Sequence, residues 1–154
     1  MVSDVSSLWV VNHREGSIDR IDLVSGLIAR LARVAGDAPE RLELAFGSLW
    51  VTGRGTDLHR LDPATGAEQA VVEVGAGAID LAAAGGALLV AAPTDADDRR
   101  GLPVLDRLLR VDPATNVVTT TVRPTAPVMV NGLVSDGRRA WLADVANGRV
   151  LVLD

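Results

Sequence analysis

The phrase "LDPAT" at 61–65 is nearly rewritten as "VDPAT" at 111–115, a looser copy, "IDLVS", stands at 21–25, and "LVLD" at 151–154 stops on the same aspartate. These phrases belong to a longer self-similarity. Trp9, Trp50, Leu89 and Trp141 follow one another at intervals of 41, 39 and 52 residues, and Asp22, Asp62, Asp112 and Asp154 at 40, 50 and 42. From each Trp or Leu to its Asp the gaps are 13, 12, 23 and 13, so one insertion of ten residues between Leu89 and Asp112 accounts for the irregularity. The segment "VSDVSSLWVVNHREGSIDRID" at 2–22 also lies ungapped over "VSDGRRAWLADVANGRVLVLD" at 134–154, an offset of 132. Four copies are present, approximately 1–34, 35–74, 75–123 and 124–154. A unit of this length cannot bury its own apolar faces and has to stack on its neighbours.

Each copy divides into short runs bounded by turn residues. In the second, 41–46, 48–52, 57–62 and 68–74 read as strands A, B, C and D. Four antiparallel strands per repeat of about 40 residues predict an all-β fold of propeller blades, about four to the chain. The whole of 1–154 is read as one repeat domain. "DPATG" closes the C to D hairpin: Asp accepts bonds from the backbone two residues on, Pro presets φ, and Gly66 or Asn116 tolerates positive φ. The recurring Trp or Leu in strand B is read as packing between blades.

Composition agrees with this scaffold. Hydrophobic residues make up 48% of the chain but aromatics only 3%, so Val, Leu, Ile and Ala must fill the core, and the β-branched share leans toward strands. The net charge of -5 is spread without blocks, which argues against a nucleic-acid surface. No cysteine is present, which removes disulfides and thiolate chemistry. The run at 75–93 has the length of a membrane span but is mostly Gly and Ala and contains Asp80, so no membrane partner is expected. The first residues lack the basic and apolar regions of a signal peptide. Read alone, the chain is cytoplasmic by default, and extracellular or periplasmic if it is a fragment of a longer protein.

"WVVN" at 9–12 and "WVTG" at 50–53, each followed by a strand ending in Asp, resemble the YVTN repeat of bacterial β-propellers. The fourth copy, "NGLVSDGRRAWLADVANGRVLVLD" at 131–154, is similar to the related NHL repeat. Together the two resemblances cover essentially the whole chain. They imply a fold more than an activity, because such propellers carry enzymes, sensors, surface proteins and assembly platforms. One similar group, the streptogramin lyases, implies an enzyme alternative that uses a histidine base and a magnesium ion.

Of the two histidines, His59 falls within strand C and is expected on a blade surface. His13, in "NHREG", lies in a B to C loop two residues from Glu15. That pair is the candidate base and carboxylate of the lyase alternative. Two other motifs fail. "GAGAID" at 75–80 has Asp80 where a dinucleotide loop needs its third Gly, and no helix pattern follows. The segment 95–106 has acidic first, third and twelfth positions, but Arg99 and Arg100 occupy positions that a calcium loop reserves for a ligand and a Gly. No cofactor or metal is expected outside the alternative, where magnesium would serve.

Strand direction divides the loops between two rims. The A to B and C to D turns are tight and repeat. The B to C and D to A loops vary, as binding loops should. They carry Asn12, His13, Arg14 and Glu15; Arg54; Asp95, Arg99 and Arg100 of the insertion; Asp144 and Asn147; and Asp37 and Glu40. The leading expectation is a non-enzymatic scaffold that binds a protein or small ligand on this rim. A fragment of a larger sensor or surface protein is a third reading. By the offset of 132, the chain begins partway into strand A of the first copy and lacks strand D of the fourth. Self-association is therefore expected, most simply two chains forming an eight-bladed ring.

Overall fold

The computed structural model describes residues 1–34, 38–75, 77–78, 80–97 and 103–153, with 94–97 described by backbone alone. Its described residues form fifteen strands and no helix. The first sheet runs β1 (Val2–Ser3), β2 (Ser7–Asn12), β3 (Ser17–Asp22) and β4 (Ile28–Arg33), and the second β5 (Pro39–Ala45), β6 (Ser48–Gly53), β7 (Asp57–Leu61) and β8 (Glu68–Glu73). The third holds β9 (Asp80–Ala84), β10 (Ala87–Asp97), β11 (Pro103–Asp112) and β12 (Val117–Val122), and the fourth β13 (Val130–Ser135), β14 (Ala140–Asp144) and β15 (Arg149–Leu153). Every sheet is an antiparallel meander in chain order. One sheet corresponds to each repeat. Packing groups the chain into two compact units, Met1–Glu73 and Val74–Asp154, with two sheets in each.

The "DPAT" phrase does the work expected of it. Asp62 Oδ1 accepts the amides of Ala64 at 2.9 Å and Thr65 at 2.7 Å and the Thr65 hydroxyl at 3.0 Å. Asp22 receives Val24 and Ser25 in the same way, and Asp112 receives Ala114. The chain then turns through positive φ at Gly26, Gly66 and Asn116, and the amide of each bonds back to the carbonyl of its aspartate. The A to B turns use two devices. Phe46–Gly47 and Gly85–Gly86 are two-residue loops with both φ values positive, the twist that antiparallel hairpins favour. In the first and fourth sheets Asp4 and Asp136 instead accept the two amides that follow at Ser6 and Ser7, and at Arg138 and Arg139.

Alternation gives each sheet two faces. We call the face that carries the Trp or Leu position the front. In the first unit, Trp9 and Ile18 on the front of the first sheet pack against Leu42, Leu49, Val51 and Leu61 on the back of the second. Trp9 Nε1 donates to the Pro63 carbonyl at 3.0 Å, pinning the indole to the "DPAT" turn of the neighbouring sheet. The second unit repeats the rule with smaller residues. Ala82, Ala84, Leu89 and Ala91 on the front of the third sheet meet Leu133, Ala140 and Leu142 on the back of the fourth. Ser135 Oγ adds a hydrogen bond to the Ala83 carbonyl, and the Leu133 amide donates to Asp80 at 2.9 Å.

Three placements differ from the sequence reading. The insertion does not make an irregular loop over its described part, because β10 runs to Asp97 and β11 starts at Pro103, and Asp97 pairs with Pro103. Asp95 is thus a strand residue. His59 is buried, because in β7 it lies opposite Val51, on the face that meets the first sheet. Trp141 is only half-buried, whereas Trp9 and Trp50 are 2% and 0% exposed. The weakly apolar run at 75–93 contains the β9–β10 hairpin, and among the described residues no helix is long and apolar enough to cross a membrane.

Two stability tests follow from these contacts. Trp50→Ala removes a fully buried indole and should cost about 3–5 kcal/mol in denaturant unfolding, with Trp141→Ala costing well under half of that. At Gly26, with φ +71 and nothing within 4 Å of an added Cβ, Gly→Ala should cost about 1–2 kcal/mol of left-handed backbone strain. Gly66→Ala should cost clearly more, because its Cβ would stand 2.3 Å from the Leu31 carbonyl oxygen.

Candidate functional site

In the first unit the B to C loop of the first sheet is held by Asn12, whose Oδ1 and carbonyl both accept the Glu15 amide at 3.3 Å. His13 and Arg14 project from its tip and are exposed. The Glu15 carboxylate pairs with Arg30 of β4, and Arg33 Nη1 donates to the Glu15 carbonyl at 3.3 Å. Arg30 also approaches Asp19, Nε to Oδ1 at 3.6 Å. In the second sheet Arg54 Nε meets Glu40 Oε1 at 2.9 Å, linking its B to C loop to the start of β5, while the Arg54 side chain stays 80% exposed. The structure thus brings His13, Arg14 and Glu15 together with Arg30 and Arg33, and sets Arg54 beside Glu40.

In the second unit Asp144 and Asn147 take a different role. The Asp144 side chain is fully buried. Its carboxylate accepts Asn147 Nδ2 at 2.8 Å, Arg149 Nε at 2.9 Å and the Met129 amide at 3.3 Å, and Asn147 Nδ2 also reaches the Pro127 carbonyl. Burial pushes the Asp144 carboxyl up, but these three donors outweigh it and hold the group below the usual carboxylate range. The two side chains close their own hairpin. Arg99, Arg100 and Asp37 lie outside the described residues, as does the Asp95 side chain. Among the described residues, no three His, Cys, Asp or Glu side chains gather as they would around a metal ion.

The opposite rim holds a feature the loop argument missed. A shallow cleft of about 410 Å³ opens between the two sheets of the first unit, lined by Asp4, Trp9, Arg20, Phe46 and Pro63 among others. Its polar groups are already engaged. Arg20 donates to Ser7 Oγ through Nε at 3.0 Å and Nη2 at 2.8 Å, and its guanidinium lies 5.9 Å from the Trp9 ring centre. The second sheet repeats the triplet, with Arg60 Nε 2.8 Å from Ser48 Oγ and its guanidinium 5.0 Å from Trp50. In the third sheet Arg110 faces Leu89 and donates to the Gly85 carbonyl at 2.8 Å. The signal was present in the sequence: an Arg stands two residues before the turn Asp in the first three copies, and Val152 takes its place in the fourth.

The two rims differ in what occupies their carboxylates. On the turn rim, the amides of Ser6, Ser25, Thr65, Ala114 and Arg139 are the first cause holding Asp4, Asp22, Asp62, Asp112 and Asp136, respectively, below the usual carboxylate range. On the loop rim of the first unit, Glu15 and Glu40 are held by arginine side chains of other strands or loops.

No protein-family model matches the sequence, and no curated protein matches it. Solved structures do. Hydrazine synthase from Kuenenia stuttgartiensis superposes with a TM-score of 0.68 at 16% identity, over 97% of this chain and 46% of that one. Glutaminyl cyclase from Myxococcus xanthus gives 0.60 at 20%, over 99% and 72%. A chain of a mitotic checkpoint complex gives 0.69 at 15%, over 96% and 43%. This chain spans less than half the length of the first and third. With four antiparallel sheets in meander order, these likenesses define the class: the chain has an all-β, β-propeller-type fold.

The turn carboxylates give a pH test. Because folding lowers the pKa of these carboxyls and so favours their ionised form, the stability they contribute is present above their unfolded value and is lost as pH falls through the folded one. The melting-temperature deficit of Asp62→Asn should therefore be widest near about pH 7 and narrow toward about pH 2. A deficit constant across that range would mean that the ionised carboxylate is not what holds the turn.

Proposed function

We propose that this chain is a non-enzymatic β-propeller scaffold that binds a protein or small ligand on the rim built from its B to C and D to A loops. The contrast between the rims carries this reading. A carboxylate already saturated by its own backbone amides has little left to offer a ligand, and giving up those bonds would open the turn. An exposed ion pair between side chains of separate strands is worth little by itself. It can exchange one partner for a ligand charge at small cost. On the first unit's rim, Glu15 with Arg30, Glu40 with Arg54, and the exposed His13 and Arg14 present such replaceable groups of both signs. They stand on sheets whose opposite turns are fixed, which keeps the binding groups in register.

The reading fits the YVTN-like and NHL-like phrasing of the repeats, in which the turns recur and the loops vary. One structural neighbour comes from a multiprotein complex, in keeping with a propeller that meets other proteins. The experiment is a titration of the isotopically labelled chain with tetraglutamate and tetra-arginine as charged probes, followed by amide NMR. Shifts are expected at 12–17, 30–34, 40 and 53–56. Shifts confined to the turns at 22–26 and 62–66, or none with either probe, would overturn the rim assignment.

A further inference from the structure

The packing rule leaves the front of the fourth sheet and the back of the first without a counterpart inside their own unit. In both units the front of one sheet is covered by the back of the sheet that follows it. The front of the fourth sheet carries Val134, Trp141, Ala143, Val150 and Val152, which share a face by register. Of these, Val134 is 63%, Val150 61% and Val152 54% exposed. The ungapped alignment of the first and fourth copies makes the comparison direct. Ile18, at the position of Val150, is 0% exposed, and Trp9, at the position of Trp141, is 2% exposed. The fourth sheet therefore presents in water the surface that the first sheet buries.

The back of the first sheet is the complementary case. Leu8, Val10 and Ile21 stand at the positions of Leu49, Val51 and Leu61 in the second sheet. Those three are 0%, 0% and 3% exposed under the first sheet, whereas Leu8, Val10 and Ile21 are only half-buried. The turn beside them is open as well, with Leu23 at 51% and Val24 at 91% exposure. The arginine that stands beside the Trp or Leu in the first three fronts is Val152 in the fourth, so this front is apolar at its centre and carries Arg139 at its margin. On the back of the first sheet Asp19, opposite Val10, is already paired with Arg30 at 3.6 Å.

We propose that a second copy of this chain covers the fourth sheet, with the back of its first sheet seated on the front formed by Val134, Trp141, Val150 and Val152. The junction reproduces the one already built between the first two sheets. In it Trp141 Nε1 of one copy donates to the Leu23 carbonyl of the other, as Trp9 Nε1 donates to Pro63, because Leu23 and Pro63 each follow the turn aspartate. Every copy carries both this front and this back, so two copies satisfy each other through two equivalent junctions, and a head-to-tail contact of this kind closes or repeats according to its rotation. Arg30 borders both this back and the loop rim, but the mass of Val150→Glu reads the junction alone and the amide shifts in the B to C loops read the rim, so the two readings fail separately.

Size exclusion with light scattering tests this on the chain as it is. The wild type is expected at twice 16.1 kDa, falling toward 16.1 kDa on dilution. Val150→Glu, at an exposed position, and Val10→Arg should each run at 16.1 kDa with the β-sheet circular dichroism retained. Mixed in equal amounts, the two variants should regain the doubled mass, because a mixed pair has one wild-type junction and one in which the introduced charges attract. A ladder of larger masses abolished by either variant would support the same junction repeating without closure. A wild type at 16.1 kDa at every concentration, a mass unchanged by Val150→Glu, or a mixture of folded variants that stays at 16.1 kDa would overturn the proposal.

Discussion

The constraint on which this structure rests is that a four-stranded antiparallel sheet of this sequence has two apolar faces and can cover neither alone. Trp9 and Ile18 become buried only because Leu49, Val51 and Leu61 of the next sheet lie against them. The indole sets the spacing in that junction, and its N–H, which would be costly to bury unpaired, is satisfied by the neighbouring turn at Pro63. In the second unit Leu89 replaces the indole, and small Ala82, Ala84 and Ala91 surround it. Two different side-chain sets reach the same front-to-back contact. The chain, with 3% aromatics, reserves three of its four aromatic residues for the one strand position where that contact is made.

The turn rim makes the stacking possible. A sheet that is to lie flat on its neighbour needs its hairpins closed tightly, and the aspartate turn does this with a side chain that stands in for backbone acceptors. Gly66 shows how closely the second sheet then approaches the first, since even one added carbon would collide with the Leu31 carbonyl. At the equivalent point of the first sheet, Gly26 has open space. The turn chemistry is common to the copies, but its packing context belongs to each junction.

Much of this architecture was legible in the sequence, and the reasons are local. In the second copy the expected strands 41–46, 48–52, 57–62 and 68–74 lie within two residues of β5, β6, β7 and β8 at every boundary, because each ends at a Gly or Asp turn with its own chemistry. The insertion was misread because it breaks the period that located everything else, so a longer hairpin looked like a loop. Asp144 and Asn147 looked like rim ligands for a related reason. An isolated polar residue reads the same whether it faces solvent or satisfies its own hairpin, and only the three donors around the Asp144 carboxylate separate the cases. The loop-rim cluster was half visible: the "NHREG" loop marked Glu15, but nothing in local sequence showed that Arg30 and Arg33 return to it across the sheet. The Arg two residues before each turn Asp recurs plainly enough to have been found.

That arginine also shows how a repeat can keep its fold while changing what it offers. Beside Trp9 and Trp50 the guanidinium lies against the indole and bonds to the Ser two residues before it, so the edge of the apolar contact is sealed by a charge that still reaches water. In the fourth copy Trp141 faces Val152, and the Ser position is taken by Arg139. The front becomes more apolar at its centre. Neither change disturbs the hydrogen-bond ladder between β14 and β15, because both act through side chains and the ladder is backbone. This separation of backbone from face explains how a propeller-type fold persists at 15–20% identity to its structural neighbours. The few positions that close turns and fill junctions carry the fold, and the remaining face and rim positions can be rewritten sheet by sheet.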